Sequence, residues 1–130
     1  TVIFPDAQDV QISGVSRLLN EGAIVLESAP VVWKNTTYFG TGRIVWNASN
    51  GDAGLTLDTG IIEVPLKLEV TGNVTPMQDK PIVILMNPTF SKNMDRKEAV
   101  QLVSTTAGGL TLSLKRVVDG NNDVWKLTAK

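Results

Sequence analysis

The 130-residue chain contains no cysteine and no histidine. Without cysteine there is no disulfide framework, no thiolate metal site and no thiol nucleophile, and compartment stays open. Without histidine the usual general base near neutral pH and the commonest metal ligand are gone, so most acyl-transfer and zinc chemistries lose their standard parts. No enzyme activity, cofactor or metal is therefore expected. Aromatics are scarce at 5%. No apolar run approaches the roughly 18 residues of a membrane helix, so no membrane partner is expected. The opening TVIFPDAQDV lacks the basic start and long apolar core of a secretory leader. Thr1 suits either a product stripped of its initiator methionine or a processed mature chain.

What is present suits one domain, 1–130, large enough to bury about two thirds of its unfolded surface. The net charge of −1 hides an asymmetry. Residues 1–79 carry four Lys/Arg against nine Asp/Glu, and residues 80–130 carry eight against four. Head-to-tail contacts, an anionic partner or ordinary solvated faces would each account for it.

The most distinctive stretch is Lys80–Ala107, KPIVILMNPTFSKNMDRKEAVQLVSTTA. Pro81–Met86 is an apolar, β-branched run that reads as a strand covered on both faces. Asn87-Pro88 stops it. Ser91, Asn93 and Asp95 then offer N-cap oxygens, and Asp95 with Glu98 spells a capping box. Ala99, Val100, Val103 and Ala107 recur at helical spacing, and Gly108-Gly109 ends the pattern, which predicts an amphipathic helix over Ser91–Ala107. Such a stripe needs a sheet to lie on.

Before this stretch the chain reads as strands. Thr1–Phe4 and Asp9–Ile12, separated by Pro5-Asp6, suggest an N-terminal hairpin or an edge strand. Ser13-Gly14 and Glu21-Gly22 mark turns, Ala23–Leu26 a strand, and Ala29-Pro30 a break before Val31–Trp33. Thr37–Ala48 alternates as one long strand with Thr41, Arg43 and Asn47 outward. Ser49–Gly54 is the strongest loop signal. Ile61–Thr71 gives the cleanest alternation, with Ile62, Val64, Leu66, Leu68 and Val70 inward, and Pro65 marks a bulge or an edge. The tail is ambiguous. Leu110, Leu112 and Leu114 followed by Asp119-Gly120-Asn121-Asn122 and Val124–Leu127 favour a hairpin, while Leu110, Leu114, Val117 and Val118 also fit one helix face. No internal repeat stands out.

Several candidate sites carry chemistry. Thr41, Arg43, Asn47, Lys67 and Thr71 project from two long strands and would form a shape-selective RNA-binding face, the cations supplying the salt-dependent attraction. Trp33, Tyr38, Trp46 and Trp125 would serve as a stacking platform for sugars or unpaired bases, or simply as core. Asp58, Glu63 and Glu69 include a conceivable acid–base pair without a specific signature. Asn35, Asn47 and Asn73 open Asn-x-Ser/Thr triplets, which matter only in a glycosylating pathway.

The layout, and most concretely IVILMNPTFSKNMDRKEAVQLVSTTAGGL, resembles the coat proteins of the small single-stranded RNA bacteriophages. That stretch is similar to the family's final strand, polar turn and first long helix, and Thr37–Ala48 and Ile61–Thr71 to its two central strands. The resemblance implies an α+β fold: an antiparallel β-sheet with an N-terminal hairpin and a C-terminal helix, then a second helix or a hairpin, in an intertwined homodimer. It further implies a structural capsid subunit that self-assembles into an icosahedral shell, packages single-stranded RNA and represses translation by binding an RNA hairpin, within a virion assembled in the bacterial cytoplasm. Thr41, Arg43, Asn47, Lys67 and Thr71 would then meet RNA, and Ala99, Val100, Val103 and Ala107 the partner subunit. The rivals are a secreted β-sandwich adhesin or pilus subunit, a phage decoration protein and a carbohydrate-binding or carbohydrate-active domain.

Overall fold

The computed structural model describes residues 2–4, 10–12, 17–26, 31–49, 54–92 and 94–130, and they are almost entirely β. The strands come in threes. β1 (Val2–Phe4), β2 (Val10–Ile12) and β3 (Arg17–Leu19) make a first coil, followed by β4 (Ala23–Leu26), β5 (Val31–Lys34) and β6 (Thr37–Phe39). A third coil holds β7 (Arg43–Asn47), β8 (Leu55–Asp58) and β9 (Ile61–Ile62), and a fourth holds β10 (Leu66–Thr71), β11 (Met77–Met86) and β12 (Thr89–Phe90). Each strand from β1 to β10 pairs in parallel with the strand three places on, as in β4–β7–β10 and β5–β8–β11. Each coil thus gives one strand to each of three sheets, which is the pairing of a parallel β-helix.

The coils then stop. β13 (Val100–Leu102) adds to β10, while β14 (Thr106–Ala107), β15 (Leu110–Asp119) and β16 (Asn122–Ala129) run antiparallel. β16 pairs antiparallel with β11, occupying the edge that a further parallel strand would need. Gly120, at φ 61°, takes the first central position of the β15–β16 turn, where positive φ is required. Of the two readings of the tail, the hairpin is the one adopted.

The core is a set of side-chain ladders running from coil to coil. Ile24, Ile44, Leu68 and Leu102 are register partners on one sheet, Val31, Leu55, Val83 and Trp125 on the second, and Leu18, Tyr38 and Ile62 on the third. Trp33, Trp46, Leu57, Leu85 and Leu127 are fully buried among them. Trp33 and Tyr38 stack with centroids 6.3 Å apart.

Corners are cut by backbone conformation. Asn35, Thr59 and Asn87 each follow a strand of the second sheet with φ of 52°, 58° and 47°. Asn35 N donates to Asp58 O (2.9 Å) and Thr59 N to Met86 O (2.8 Å), so the ladder continues through the bend. At another corner Asn20, 4% exposed, donates through Nδ2 to Tyr38 Oη and to Arg43 O, each at 3.0 Å. A Cβ on Gly40 or Gly42 would overlap Asn20, so only glycine fits there.

These facts correct the expected fold in four respects. The sheet is not the antiparallel one of an α+β fold, because the coils stack in parallel. There is no N-terminal hairpin: β1 and β2 lie in different sheets and pair with β4 and β5. Thr37–Ala48 and Ile61–Thr71 are not single strands. The first is cut at Gly40–Gly42 and the second near Pro65, although inward and outward positions keep alternating across both cuts.

The helix over Ser91–Ala107 does not form. Asp95 does cap, accepting from Lys97 N at 2.9 Å, but only a 3-10 turn at Arg96–Glu98 follows. β10 offers a free edge, and pairing with it lets Val100 and Leu102 extend the inner ladders, which outweighs a helical stripe in a chain segment with no other face to cover. Among the described residues no α-helix is left to cross a partner in an intertwined dimer. Residues 50–53 of the expected loop, the Ser13-Gly14 turn, the Ala29-Pro30 break, Pro5-Asp6 and the Asn93 cap lie outside the described residues.

Candidate functional site

Among the described residues, two places collect the polar side chains of interest. The first is the outer surface of the sheet containing β7 and β10. Parallel register sets Lys67 beside Arg43 and Thr71 beside Asn47, so four of the five residues expected to meet RNA share one face. Thr41 sits at the adjoining corner. Its backbone N–H donates to Glu21 Oε2 at 3.3 Å, and its hydroxyl donates to the same oxygen.

This face is polar without being basic. Arg43 Nε donates to Glu69, two residues along β10 from Lys67 and diagonal to Arg43 in the register. Asn47 Oδ1 accepts from Ser49 N (3.0 Å), Ser49 Oγ accepts from Asn73 N (2.8 Å), and Thr71 Oγ1 donates to Trp46 O (3.4 Å). These groups are engaged in their own corner. A cluster of unmatched cations, which phosphate binding needs, is not what the register assembles here.

The expected dimer residues do not form a surface. Ala99 and Val100 are buried in this chain's own core, Ala107 is half-buried in β14, and Val103 is exposed beyond β13. Trp33, Trp46 and Tyr38 are fully buried and Trp125 is 4% exposed, so no aromatic platform faces solvent from them. Asp58 ends β8, Glu63 follows β9 and Glu69 lies within β10, so the three belong to three different sides of the coil. Asn35 and Asn73 are exposed at corners and Asn47 is half-buried.

The second place was not anticipated. The inner ladder Trp33–Leu57–Leu85 continues in register to Asp123, a carboxylate with no exposed surface. Two guanidinium groups meet it. Arg96 donates through Nε to Oδ2 (2.9 Å) and through a terminal nitrogen to Oδ1 (2.5 Å), and Arg116 donates through Nε to Oδ2 (3.0 Å). Burial alone would push the Asp123 carboxyl up, but the hydrogen bonds from Arg96 and Arg116 together outweigh it and hold the group below the usual carboxylate range. The Arg96 guanidinium is raised above its ordinary value, chiefly by its hydrogen bonds to Asp123. It also lies 5.7 Å from the centre of the Phe90 ring.

The cluster ties together the hairpin, through Asp123 and Arg116, and the turn after the fourth coil, through Arg96. A signal for it exists in the sequence: Asp123, Trp125 and Leu127 share one strand face, which puts a charge where the alternation demands an apolar group. No family model, no curated protein and no solved structure matches this chain.

Proposed function

We propose that the chain is a non-catalytic structural module: a segment of parallel β-helix, capped at one end, that holds flat polar side faces for attachment to a partner surface, the role of an adhesin or stalk segment. The observation that carries this reading is the register itself. Ladders such as Ile24–Ile44–Leu68–Leu102 buttress each coil on the next, and β16 closes the stack with an antiparallel edge. Stacked coils keep outward side chains about 4.8 Å apart from coil to coil, a rigid geometry suited to carrying load and contact rather than to closing around a small substrate. Asp58, Glu63 and Glu69 lie on three different sides, so these three do not come together as a paired-carboxylate centre.

A coat subunit draws little support from this geometry. Its layout depended on a helix that is a strand here, and its RNA-facing arginine is matched by Glu69. A sugar-stacking domain would need tryptophans that are instead in the core.

The test is negative-stain electron microscopy of the chain expressed alone in bacteria, with absorbance at 260 and 280 nm and an assay for release of reducing ends from mixed polysaccharides. Discrete particles free of nucleic acid and without turnover are expected. Closed shells filled with nucleic acid would restore the coat reading, and turnover would make the module an enzyme.

A further inference from the structure

We infer that the cleft between the hairpin turn and the corner after β11 binds an oxyanion, held by the Arg96 guanidinium and by the side-chain amides of Asn87 and Asn121. The cleft has a volume of about 270 Å³ and is lined by Asn87, Pro88, Arg96, Gly120 and Asn121. Its lining is polar and its one charged member is a cation.

The charge count carries the argument. Asp123 is a single carboxylate, and Arg116 alone would neutralise it. Arg96 is a second cation on the same group, so the cluster holds a net positive charge. Arg96 spends Nε and one terminal nitrogen on Asp123, which leaves donors of its fork uncommitted. Its side chain is 43% exposed although its partner is fully buried, and Arg96 lines the cleft, which leaves the uncommitted donors accessible to a ligand there. A guanidinium fixed by a bidentate bond keeps its plane still, which favours recognition of a group with two or more oxygens over a simple halide.

The walls are also fixed. Asn87 N donates to Asn121 O at 3.2 Å, joining the corner to the hairpin turn across the cleft. Asn87 is held at φ 47° and Gly120 at φ 61°, both set by the bends that they make. The cleft is therefore formed before a ligand arrives, and no ordering of its walls is needed for binding. None of its lining residues is acidic, since Asp95 and Asp119 lie outside the lining set. The chemistry recognised is shared by sulfate, phosphate and carboxylate groups, whether free or carried on a larger molecule.

The experiment is a titration of the whole ¹⁵N-labelled chain with sodium sulfate, sodium phosphate or sodium acetate, each against sodium chloride at constant ionic strength. Saturable shifts are expected at the Arg96 Nε–H and at the Asn87 and Asn121 side-chain amides. Sulfate and phosphate acting more strongly than acetate would assign a tetrahedral group, and the reverse a carboxylate. Asn121→Asp adds a negative charge to the cleft without touching the cluster, and should weaken binding about tenfold or more with an unchanged melting temperature. Arg96→Gln should abolish it, with the Asp123 and Arg116 resonances reporting that the hairpin is still seated. Shifts that grow linearly and equally with chloride would overturn the proposal, as would an Asn121→Asp variant that binds as tightly as the wild type.

Discussion

The coils and the hairpin that caps them are both β-structure, but they are specified in opposite ways. In β15–β16 residues pair with near neighbours in sequence, from Asp119↔Asn122 outward to Leu112↔Ala129, around a turn marked Asp-Gly-Asn-Asn. In the coils every strand pairs with residues far away. Ile44 lies opposite Ile24, 20 residues earlier, Leu68 opposite Ile44 at 24, and Leu102 opposite Leu68 at 34. A hairpin can therefore be specified by its own local signals, whereas a coil exists only against its neighbours.

Removing a core side chain should break this comparison most strongly. Leu57→Ala, at a site 1% exposed in the middle of an inner ladder, should cost about 2–5 kcal/mol in urea unfolding. Val118→Ala, on an exposed hairpin position, should stay within about 0.5 kcal/mol. Equal losses would mean that the two regions share one packing regime.

The junction between the regions comes next. Asp123→Asn removes the buried charge and should cost about 2 kcal/mol at neutral pH, since both guanidinium groups retain access to water. The pH dependence has a definite sign. The folded Asp123 carboxyl lies below its unfolded value of about 4, so its contribution is complete above roughly pH 4 and is lost as pH falls through the lower folded value. Acid unfolding curves of the wild type and of Asp123→Asn should accordingly converge below about pH 4. A constant gap down to strong acid would contradict the assignment.

Corner substitutions sharpen the contrast with smaller effects. Thr59 is β-branched and sits at φ 58°, so Thr59→Gly should stabilise the coils by about 1 kcal/mol, measured by thermal unfolding. Gly120→Ala in the hairpin turn, at φ 61°, should destabilise by a similar amount. The least effect belongs to the outer face: Lys67→Ala should change stability by under about 0.5 kcal/mol.

The same contrast explains what the sequence discloses. The hairpin is legible because its turn residues and alternation agree. The inward set Ile62, Val64, Leu66, Leu68 and Val70 is legible too, and Pro65 marks an irregularity, but that it is a corner between two sheets is not legible, because a chain that turns while keeping its alternation reads as one strand. The structural repeat is hidden for a related reason. Coils of unequal length break any fixed period, and the corners that recur use different residues: Asn35, Thr59 and Asn87 share a conformation rather than an identity.

Ala99, Val100, Val103 and Ala107 mislead because helical spacing over a short window arises by coincidence when one buried pair, one exposed valine and one strand residue follow each other. Arg43 beside Lys67 and Asn47 beside Thr71 were inferable as facing the same way. The alternation also puts Glu69 on that face, but that it reaches diagonally to Arg43 follows from the parallel register, which local pattern does not supply. Asp123 was the most informative missed residue, a charge on the apolar face of its own strand.

The absence of cysteine makes the parallel register directly testable by paired cysteine substitution. Arg43→Cys with Lys67→Cys and, separately, Asn47→Cys with Thr71→Cys join outward register partners, whose Cα atoms should be about 5 Å apart. Both pairs should oxidise readily to intramolecular disulfides under mild conditions. The crossed pair Arg43→Cys with Thr71→Cys should not, because four residues of strand separate those positions by roughly 13 Å. Efficient closure of the crossed pair, with failure of the two register pairs, would mean that β7 and β10 run antiparallel and would contradict the stacked-coil architecture.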